Sequence, residues 1–420
     1  MAKDGEFKLI KAARLIDGNG GPPVERAAIL IEGDEIRAVG PEEKVSPPEG
    51  ASVAEFDYED KTVLPGLVDC HVHLIGIGDG RMGDDLNTLP DEVLTLQAAA
   101  NARKHLYSGV TTVRDCGAKN RTTFALRQAV EMGITPAPRL LLAGRPIAIV
   151  GGHLSYFGSE ATGEVECRAA VRQLVKEGAD FIKVTATGGS TRTSVPSRAS
   201  FTVEEMSAIV DEAHKFGKHV SAHCASVPGM AVALDAGVDT IIHGYHTDEN
   251  GQDDYRPDIT EKIVSQGVFV NPTLHQVVEL IADSERRKAE VGLSAEEQGT
   301  LDKMKRGHDR RMEDFARMRS EGVTFVCGSD SAWAYYQMGA FQDEMAVHVA
   351  GGMSPMEAIV SATSDSARSC WADTAVGSLE PGKRADVLVV DGDPSKDIQA
   401  AKNVEAVFLG GALVDREDYV

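Results

Sequence analysis

Long apolar runs are scarce in this 420-residue chain. No window approaches the roughly 20 consecutive apolar residues that a helix needs to cross a bilayer. The first residues, Met1 to Glu6, also lack the apolar stretch of a secretory signal peptide. The sequence therefore predicts a protein that does not associate with membranes, and we expect it in the cytoplasm.

Cysteine is also scarce, with six residues and no Cys-X-X-Cys pair. Four of the six lie in or just after apolar segments, where a free cysteine behaves as a small buried hydrophobe. This pattern argues against a disulfide framework and favours a reducing compartment. Cys224 stands beside His223 and has two interpretations, a buried thiol or a thiolate metal ligand. The buried thiol is the more common case.

Positive charge is in short supply as well. The chain has 43 lysines and arginines against 65 aspartates and glutamates, which gives a formal net charge of −22. Such a charge repels nucleic acids and anionic membranes, so neither is an expected partner. The hydrophobic fraction of 42% is ordinary for a globular protein. Charge of this kind favours solubility and carries no information about the fold.

The most informative motif is a pair of histidines separated by one residue. The apolar segment that begins at Val63 ends in Asp69-Cys70-His71-Val72-His73. In an extended strand alternate side chains share one face, so both imidazoles can point at the same spot. Two neutral imidazoles at a strand end suit a divalent transition metal. Two histidines taken alone would more often be structural, so the downstream sequence decides between these interpretations.

Four further apolar segments each supply a residue of the same kind. Lys183 lies inside one segment, and His223, His243 and Asp330 lie at or near the ends of three others. Burying a charged lysine is costly, so Lys183 either extends its amine to the mouth of the fold or is neutral and chemically modified. Each lone histidine would more often be structural than a ligand. Ligand-type residues in five apolar segments nevertheless predict a metal centre.

Strand patterns alternate with helical patterns through the middle of the chain. We predict strands near 63–71, 110–115, 139–144, 180–186, 218–223, 238–243, 267–271 and 323–328. We predict helices over 92–108, 122–132, 166–177, 203–216 and 227–236, one of which opens with a capping signal at Thr202. Eight strand–helix units predict an α/β fold, a (β/α)8 TIM barrel, whose active sites lie at the C-terminal strand ends.

Both ends of the chain have the pattern of short strands and turns. Neither end has enough strands for a stable core, so we predict that residues 1–62 and 373–420 form one small sheet domain together. Residues 63–372 would then form the barrel. A charged helical insertion around 282–320 is expected to be a solvated segment, with a lid or a subunit contact as the alternatives.

The order HxH, Lys, His, His and Asp resembles the amidohydrolase superfamily, in its two-metal subtype with a carboxylated lysine. The segment from Gly377 to Asp386 is also very similar to members of that superfamily. The resemblance implies a β-sandwich built from both termini and two divalent metal ions, which we expect to be zinc. It also implies the ligands, with a carbamate from carbon dioxide on the bridging lysine: His71, His73, Lys183, His223, His243 and Asp330.

The same resemblance implies a hydrolase that cleaves an amide bond in a small peptide-like molecule or an N-acyl amino acid. A metal-bridging hydroxide would attack the carbonyl, and Asp330 would pass a proton to the leaving amine. Gly151-Gly152-His153 resembles the GGH loop of the branch with Xaa-Pro dipeptidases and related carboxypeptidases, which makes His153 a candidate oxyanion donor or substrate contact. Tyr245 and Arg192 are candidate substrate contacts, for which rim packing and simple solvation are equally good explanations.

One departure from the branch leaves the substrate open. Its peptidases often carry a substrate-binding tyrosine two residues after the histidine that matches His223, where this chain has Ala225. The pocket is then larger or more apolar, and it admits aryl amides, carbamates or ureas as alternatives. A single-metal deaminase or imidazolone-ring hydrolase is a further alternative, against which Lys183 counts. A non-catalytic scaffold fits the intact ligand set poorly, and a homo-oligomer is expected.

Overall fold

The structure is a computed structural model that describes residues 7–81 and 83–417. The segment from Met1 to Glu6, which the expectation about a signal peptide concerns, lies outside the described residues. Within the part of the chain that is described, no helix combines the length and the apolar character that a membrane crossing requires.

The described residues form fifteen β-strands, most of them short. In chain order they are β1 (Phe7–Leu15), β2 (Val24–Glu32), β3 (Glu35–Pro41), β4 (Val53–Asp57), β5 (Thr62–Pro65), β6 (Leu67–Val72), β7 (Val110–Asp115), β8 (Arg139–Leu142), β9 (Ile182–Thr185), β10 (Val220–Cys224), β11 (Thr240–His243), β12 (Phe269–Asn271), β13 (Val387–Val390), β14 (Val404–Leu409) and β15 (Ala412–Leu413).

Twelve α-helices lie among the same residues. They are α1 (Gly83–Leu86), α2 (Asp91–Tyr107), α3 (Thr122–Glu131), α4 (Gly163–Glu177), α5 (Val203–Lys215), α6 (Val227–Ala236), α7 (Pro257–Gln266), α8 (His275–Val291), α9 (Ala295–Ser320), α10 (Gln342–Ala350), α11 (Pro355–Val360) and α12 (Ser366–Ser369). A short π-helix, Ser361–Asp365, joins α11 to α12.

Strands from both ends of the chain form one sheet. Its order is β15-β14-β13-β5-β1-β2-β3, and β4 pairs with β1 next to β5. The C-terminal strand β13 lies antiparallel between β14 and β5, with Val389 opposite Val63. Ile10 and Ile29 belong to one core cluster, whereas Leu9 belongs to another, because successive side chains of a strand point to opposite faces. Each terminus therefore needs the other to complete the sheet.

The chain passes from this terminal sheet into the central strands at Gly66. β5 pairs with β1 and β13, whereas β6 pairs with β7. The strand predicted over 63–71 is therefore two strands that belong to different sheets. A Cβ atom at position 66 would overlap the side chain of Thr111. A residue without a side chain is needed where the two sheets meet at this close distance.

Two sets of parallel strands form the centre of the molecule. One has the order β6-β7-β8, and the other has the order β12-β11-β10-β9. The segment after β8 joins the two sets, because the backbone N–H of Ile147 donates to the carbonyl of Lys183 across 2.8 Å. Helices α2 to α7 alternate with these strands, which is the mixed α/β order of a TIM-barrel fold.

The segment predicted as the eighth strand, 323–328, is not a strand in the structure. It makes single parallel bridges to its neighbours instead, with Phe325 beside Val270 of β12 and Ser331 beside Val72 of β6. Asp330 has a φ of +54°, and a regular strand cannot continue through a left-handed residue. The strand prediction is wrong, but the segment lies between β12 and β6, where the last barrel strand was expected.

The predicted helices agree with α2 to α6 to within three residues at each end. The capping box at Thr202 and Glu205 is present at the start of α5, as the sequence predicts. The charged region 282–320 falls within α8 and α9. Leu301 and Phe315 of α9 are buried, so this helical hairpin packs against the body of the protein on one side.

Five of the seven central strands are buried along their whole length. Every residue of β6, β7, β9, β10 and β11 is buried. Successive side chains of a strand point to opposite faces of the sheet, so complete burial means that both faces of these strands are covered. Parallel sheets in α/β proteins are usually covered on both faces in this way. A histidine, lysine or aspartate in such a place needs a hydrogen-bond partner or a ligand, because an unpaired buried polar group is costly.

Candidate metal centre

His71 and His73 stand at the C-terminal end of β6 and just beyond it. Their side chains are 1% and 3% exposed, and their Nε2 atoms lie 3.3 Å and 3.4 Å from Oδ1 of Asp330. The possible ligand atoms of the three residues all lie within 4.8 Å of one another. The structure therefore brings together three of the residues that the resemblance implies as metal ligands.

Both histidines are held by the ring nitrogen that faces away from Asp330. Nδ1 of His73 donates to the carbonyl of Gly117 across 2.8 Å. Nδ1 of His71 donates across 3.0 Å to Oδ1 of Asn271, whose amide nitrogen donates to a backbone carbonyl. Each Nε2 therefore keeps its lone pair, and that of His71 is buried without a hydrogen-bond partner among the described residues. A free imidazole lone pair beside a carboxylate fits a divalent metal ion.

Asp330 reaches this position because the backbone bends there. Its N–H donates to the carbonyl of His71 across 2.7 Å, and its left-handed conformation turns the chain out of the strand direction. Burial raises the pKa of Asp330 to about 7, against the opposing effect of the Lys183 charge. A carboxyl group with a pKa near neutrality can both accept and release a proton at physiological pH.

Lys183 is buried in the middle of β9, with only 1% of its surface exposed. Its amine makes no hydrogen bond or ion pair with any other described residue. Burial lowers the pKa of Lys183, although Cys116 and Asp330 act in the opposite direction. Desolvation thus favours the neutral amine, which is the nucleophilic form.

His223 and His243 come from the neighbouring parallel strands β10 and β11. Nδ1 of His223 lies 2.9 Å from Nε2 of His243. On their outer sides, Nε2 of His223 donates to the Gly188 carbonyl across 3.0 Å, and Nδ1 of His243 lies 2.6 Å from the hydroxyl of Thr273. Burial lowers the pKa of both rings well below the ordinary value. Both are therefore neutral, as a metal ligand must be.

His153 lies next to these two histidines. Its ring centroid is 4.5 Å from that of His223, and burial lowers its pKa to about 3. The Thr191 hydroxyl oxygen accepts from the backbone N–H of Leu154 and lies 3.0 Å from Nδ1 of His153. The hydroxyl hydrogen is thus free to donate to Nδ1, which leaves the hydrogen of the neutral ring on Nε2. In this tautomer His153 is a hydrogen-bond donor towards the cavity.

Tyr245 and Arg192 have different surroundings. The Tyr245 ring lies 5.3 Å from the ring of His243 and lines the same cavity. Arg192 does not line the cavity, because its guanidinium pairs with Asp85 across 2.9 Å and its side chain is 64% exposed. Tyr245 therefore remains a candidate substrate contact. Arg192 lies outside the lining of the cavity.

A single cavity of about 710 Å³ connects the proposed ligands. A volume of this size holds a drug-sized molecule. Aromatic side chains form part of its wall, and Ala225 lies on it where a peptidase of the related branch would carry tyrosine. The residues that line it include all those proposed as ligands and the main candidate donor: His71, His73, His153, Lys183, His223, His243 and Asp330.

Sequence reasoning missed several residues that support or line the site. Asn271 ends the predicted strand 267–271, so the rule that singled out the strand-end histidines would also have found it. Thr191 and Thr273 orient histidines, but a threonine in a loop carries no signal of that kind. Trp333 lies 5.0 Å from the ring of His73, and Arg311 lines the cavity from α9. The sequence does not single out Arg311, because α9 contains many other charged residues.

All six cysteines are free and buried, as their spacing predicts. Cys224 ends β10 next to His223, but it does not line the cavity. Its side chain belongs to the hydrophobic core, and burial there raises the pKa of its thiol above the ordinary value. The structure therefore favours the buried thiol over the thiolate ligand.

Parallel strands that deliver neutral histidines from their C-terminal ends to one cavity, with an aspartate beside them, are typical of metal-dependent hydrolases with a TIM-barrel fold. The model of the amidohydrolase family matches residues 62–414. The chain belongs to this family, and it is a hydrolase that acts on amide C–N bonds.

Two relatives illustrate the likeness. Ochratoxinase from Aspergillus niger is 28% identical over 447 aligned positions, which cover 98% of this chain and 87% of that protein. Its crystal structure has a TM-score of 0.83 with 98% of this chain and 96% of that chain covered. A Xaa-Pro dipeptidase with methionine bound in its active site is 30% identical, has a TM-score of 0.83, and is covered over 97% and 100% of the two chains.

Proposed function

We propose that this protein is a binuclear metal-dependent hydrolase of peptide-like amides or N-acyl amino acids. The observation that carries the proposal is the convergence of four neutral histidines, Asp330 and Lys183 on one cavity. His71, His73 and Asp330 would hold one divalent ion, and His223 and His243 would hold the other. Nitrogen and carboxylate donors of this kind suit zinc.

The bridging ligand in this proposal is Lys183 in its carboxylated form. Its neutral amine would attack carbon dioxide, form a C–N bond and lose a proton, which turns a neutral group into an anion with two oxygens. Burial without a carboxylate partner disfavours the ammonium form. An anion in the same place would instead face two positive ions, so the metals and the carbamate would stabilise each other.

Two side chains would handle the proton and the developing charge. The bound ions would supply a deprotonated water at neutral pH and polarise the amide carbonyl. Asp330 would accept the proton from that water and deliver it to the nitrogen of the leaving amine, because its carboxylate lies beside the proposed ligands His71 and His73. His153 would donate from Nε2–H to the carbonyl oxygen as its negative charge grows.

The substrate class is supported by the shape of the cavity and by the relatives. A volume of about 710 Å³ with Tyr156, Trp333 and Ala225 on the wall has room for an aromatic group. The two relatives are named for the hydrolysis of ochratoxin and of Xaa-Pro dipeptides. The space left at Ala225 favours aryl amides as a second candidate, ahead of carbamates and ureas.

We also propose a finer architecture. The two sets of parallel strands and the segment 323–331 would close into an eight-stranded barrel over residues 63–372, with α8 and α9 as its helical insertion. Residues 1–62 and 373–420 would form the β-sandwich, although the pairing of β5 moves the first boundary towards Gly66.

Six free cysteines support a cytoplasmic location. Sedimentation would test the predicted homo-oligomer.

Metal analysis of the purified protein tests the binuclear centre. We expect two ions per chain in the wild type, at most one in Lys183→Ala, and a loss of amide turnover in that variant that small carboxylates partly restore. Lys303→Ala is the control, because Lys303 lines the same cavity but is exposed. Two ions and full turnover in Lys183→Ala would exclude the bridge. One ion in the wild type would favour the single-metal deaminase.

A substrate panel then tests the reaction. N-acyl amino acids, dipeptides, aryl amides, carbamates and ureas should be compared by kcat/KM on enzyme loaded with zinc. We expect the highest values for N-acyl amino acids with a bulky acyl group. Turnover of small dipeptides alone would return the assignment to a strict dipeptidase.

A further inference from the structure

Helix α9 carries two arginines that stack on tyrosines. The guanidinium carbon of Arg317 lies 3.7 Å from the ring centroid of Tyr255, and that of Arg311 lies 3.8 Å from the ring centroid of Tyr245. Both stacks place a permanent cation over the face of an aromatic ring. The two pairs differ in what else surrounds them, and this difference points to a ligand.

A carboxylate completes the first stack. Nε of Arg317 lies 3.0 Å from Oε1 of Glu321, and the hydroxyl of Tyr255 donates to Oε2 of the same residue across 2.8 Å. One carboxylate thus takes a hydrogen bond from the guanidinium with one oxygen and from the phenol with the other. Charge-assisted bonds of this kind are among the stronger hydrogen bonds in proteins.

The second stack has no such carboxylate. Neither the guanidinium of Arg311 nor the hydroxyl of Tyr245 makes a hydrogen bond or an ion pair with another described residue. Asp314, less than one turn further along α9, pairs with Arg310 instead across 3.4 Å. Arg311 is nevertheless only half-exposed, and a partly desolvated guanidinium gains from an anionic partner.

This incomplete stack faces the cavity and lies beside the proposed metal centre. Arg311 and Tyr245 both line the cavity, and the Tyr245 ring is 5.3 Å from that of His243. Other cations on the cavity wall are placed differently. Arg81 pairs with Asp79 across 3.0 Å, Lys183 lies among the proposed ligands, and Lys303 is exposed and touches no ring.

We infer that Arg311 and Tyr245 bind a carboxylate of the substrate, in the way that Arg317 and Tyr255 hold Glu321. This inference deepens the proposed function and rests on it for the nature of the reaction. It assigns the substrate class as amides with a carboxylate close to the scissile bond, which N-acyl amino acids have. It also moves the anionic anchor from the position of Ala225 to the helical insertion.

Binding of a stable analogue tests the anchor without any turnover. The probe is the ketone that corresponds to N-benzoyl-L-phenylalanine with a methylene in place of the amide nitrogen. The comparison compound is the same ketone without the carboxylate. Calorimetry on the metal-loaded enzyme should give a Kd at least about tenfold lower for the carboxylate form, and Arg311→Met should abolish this preference. Tyr245→Phe should reduce it in part.

Arg317→Met is the matched control, since it removes the same kind of stack from the same helix outside the cavity. It should leave the preference unchanged. Equal affinity of the wild type for the two ketones, binding of neither, or a preference that survives in Arg311→Met would overturn the anchor. A preference lost in Lys303→Met instead would assign the carboxylate to the exposed lysine and would also overturn it.

Turnover separates the anchor from the proposed reaction. N-benzoyl-L-phenylalanine and N-benzoylphenethylamine differ only in the carboxylate. We expect Arg311→Met to raise KM for the first compound at least about tenfold and to change the second little. Hydrolysis of neither compound, together with a strong preference for the carboxylate ketone, would contradict the proposed reaction and leave the anchor intact.

Discussion

Asn271 acts on the metal site through another residue. It is fully buried at the end of β12, and its side-chain oxygen accepts from Nδ1 of His71. That bond sets both the tautomer and the direction of the His71 lone pair. Partners of metal-bound histidines affect metal affinity even though they do not touch the ion. Asn271 is therefore a positioning residue in the proposed site.

We expect Asn271→Ala to weaken metal binding by roughly 10- to 100-fold, because the imidazole of His71 loses its orientation and its fixed proton. Competition with a chelator measures the affinity. Gln342→Ala is a suitable control, since Gln342 is also a buried amide but bonds only the backbone carbonyls of Ser108 and Ala401. An unchanged affinity in Asn271→Ala, or an equal loss in the control, would contradict the role.

The elements that carry the site are strand ends and the loops that follow them. His153 follows β8 in a loop, and the loop after β9 covers it. A Cβ atom at Gly189 would lie 2.5 Å from Nε2 of His153, so only glycine lets the two loops approach this closely. The glycine at position 189 therefore has a steric cause that lies in a different loop.

We expect Gly189→Ala to lower turnover by about 10²-fold, the effect of a displacement of roughly 1 Å in a catalytic group. The methyl group would push the His153 ring away from the carbonyl oxygen. Metal content should not change, because His153 is not a proposed ligand. Gly299→Ala on α9 is the control, since its Cβ would meet nothing within 4 Å. Normal turnover in Gly189→Ala would show that His153 is not the donor.

Elements with local signals were predictable from the sequence, and those that depend on long-range contacts were not. Helix α5 begins at the predicted cap because Thr202 and Glu205 satisfy each other's backbone groups. The segment 323–328 looked like a strand because it is apolar, but only packing between β12 and β6 reveals the bend that follows it at Asp330. The strand ends in the sequence predict which residue types form the site. They do not predict that Asn271 and Thr191 orient the histidine rings.

At the scale of the whole molecule, burial keeps many ionisable groups uncharged. Burial lowers the pKa of His153 to about 3 and that of His246 to about 4. It also lowers the pKa of a larger set of histidines: His71, His73, His219, His223, His243 and His308. Asp115 and Asp330 show the opposite shift, because burial raises the pKa of each carboxyl group to about 7.

The metal-free protein should lose stability as the pH falls from about 7 to about 5. The unfolded chain protonates its histidines near pH 6.5, whereas the folded chain keeps the buried ones neutral. The unfolded state therefore binds more protons than the folded state in this pH range. The destabilising effect of the buried histidines is larger than the opposing effect of the aspartates whose pKa is raised. Thermal melting in the presence of a chelator should show a fall of several degrees. His219→Gln should flatten the slope, and a melting temperature that rises towards pH 5 would contradict the explanation.

The pairing of β5 with β13 joins two segments that lie far apart along the chain. β5 leaves the ribosome well before β13 does. Until then β5 has an open edge, and this edge immediately precedes Gly66 and the strand that carries His71. A nascent chain therefore has an unfinished terminal sheet next to His71 and His73, the first of the proposed metal ligands. The N-terminal strands can complete their sheet only after β13 has been synthesised.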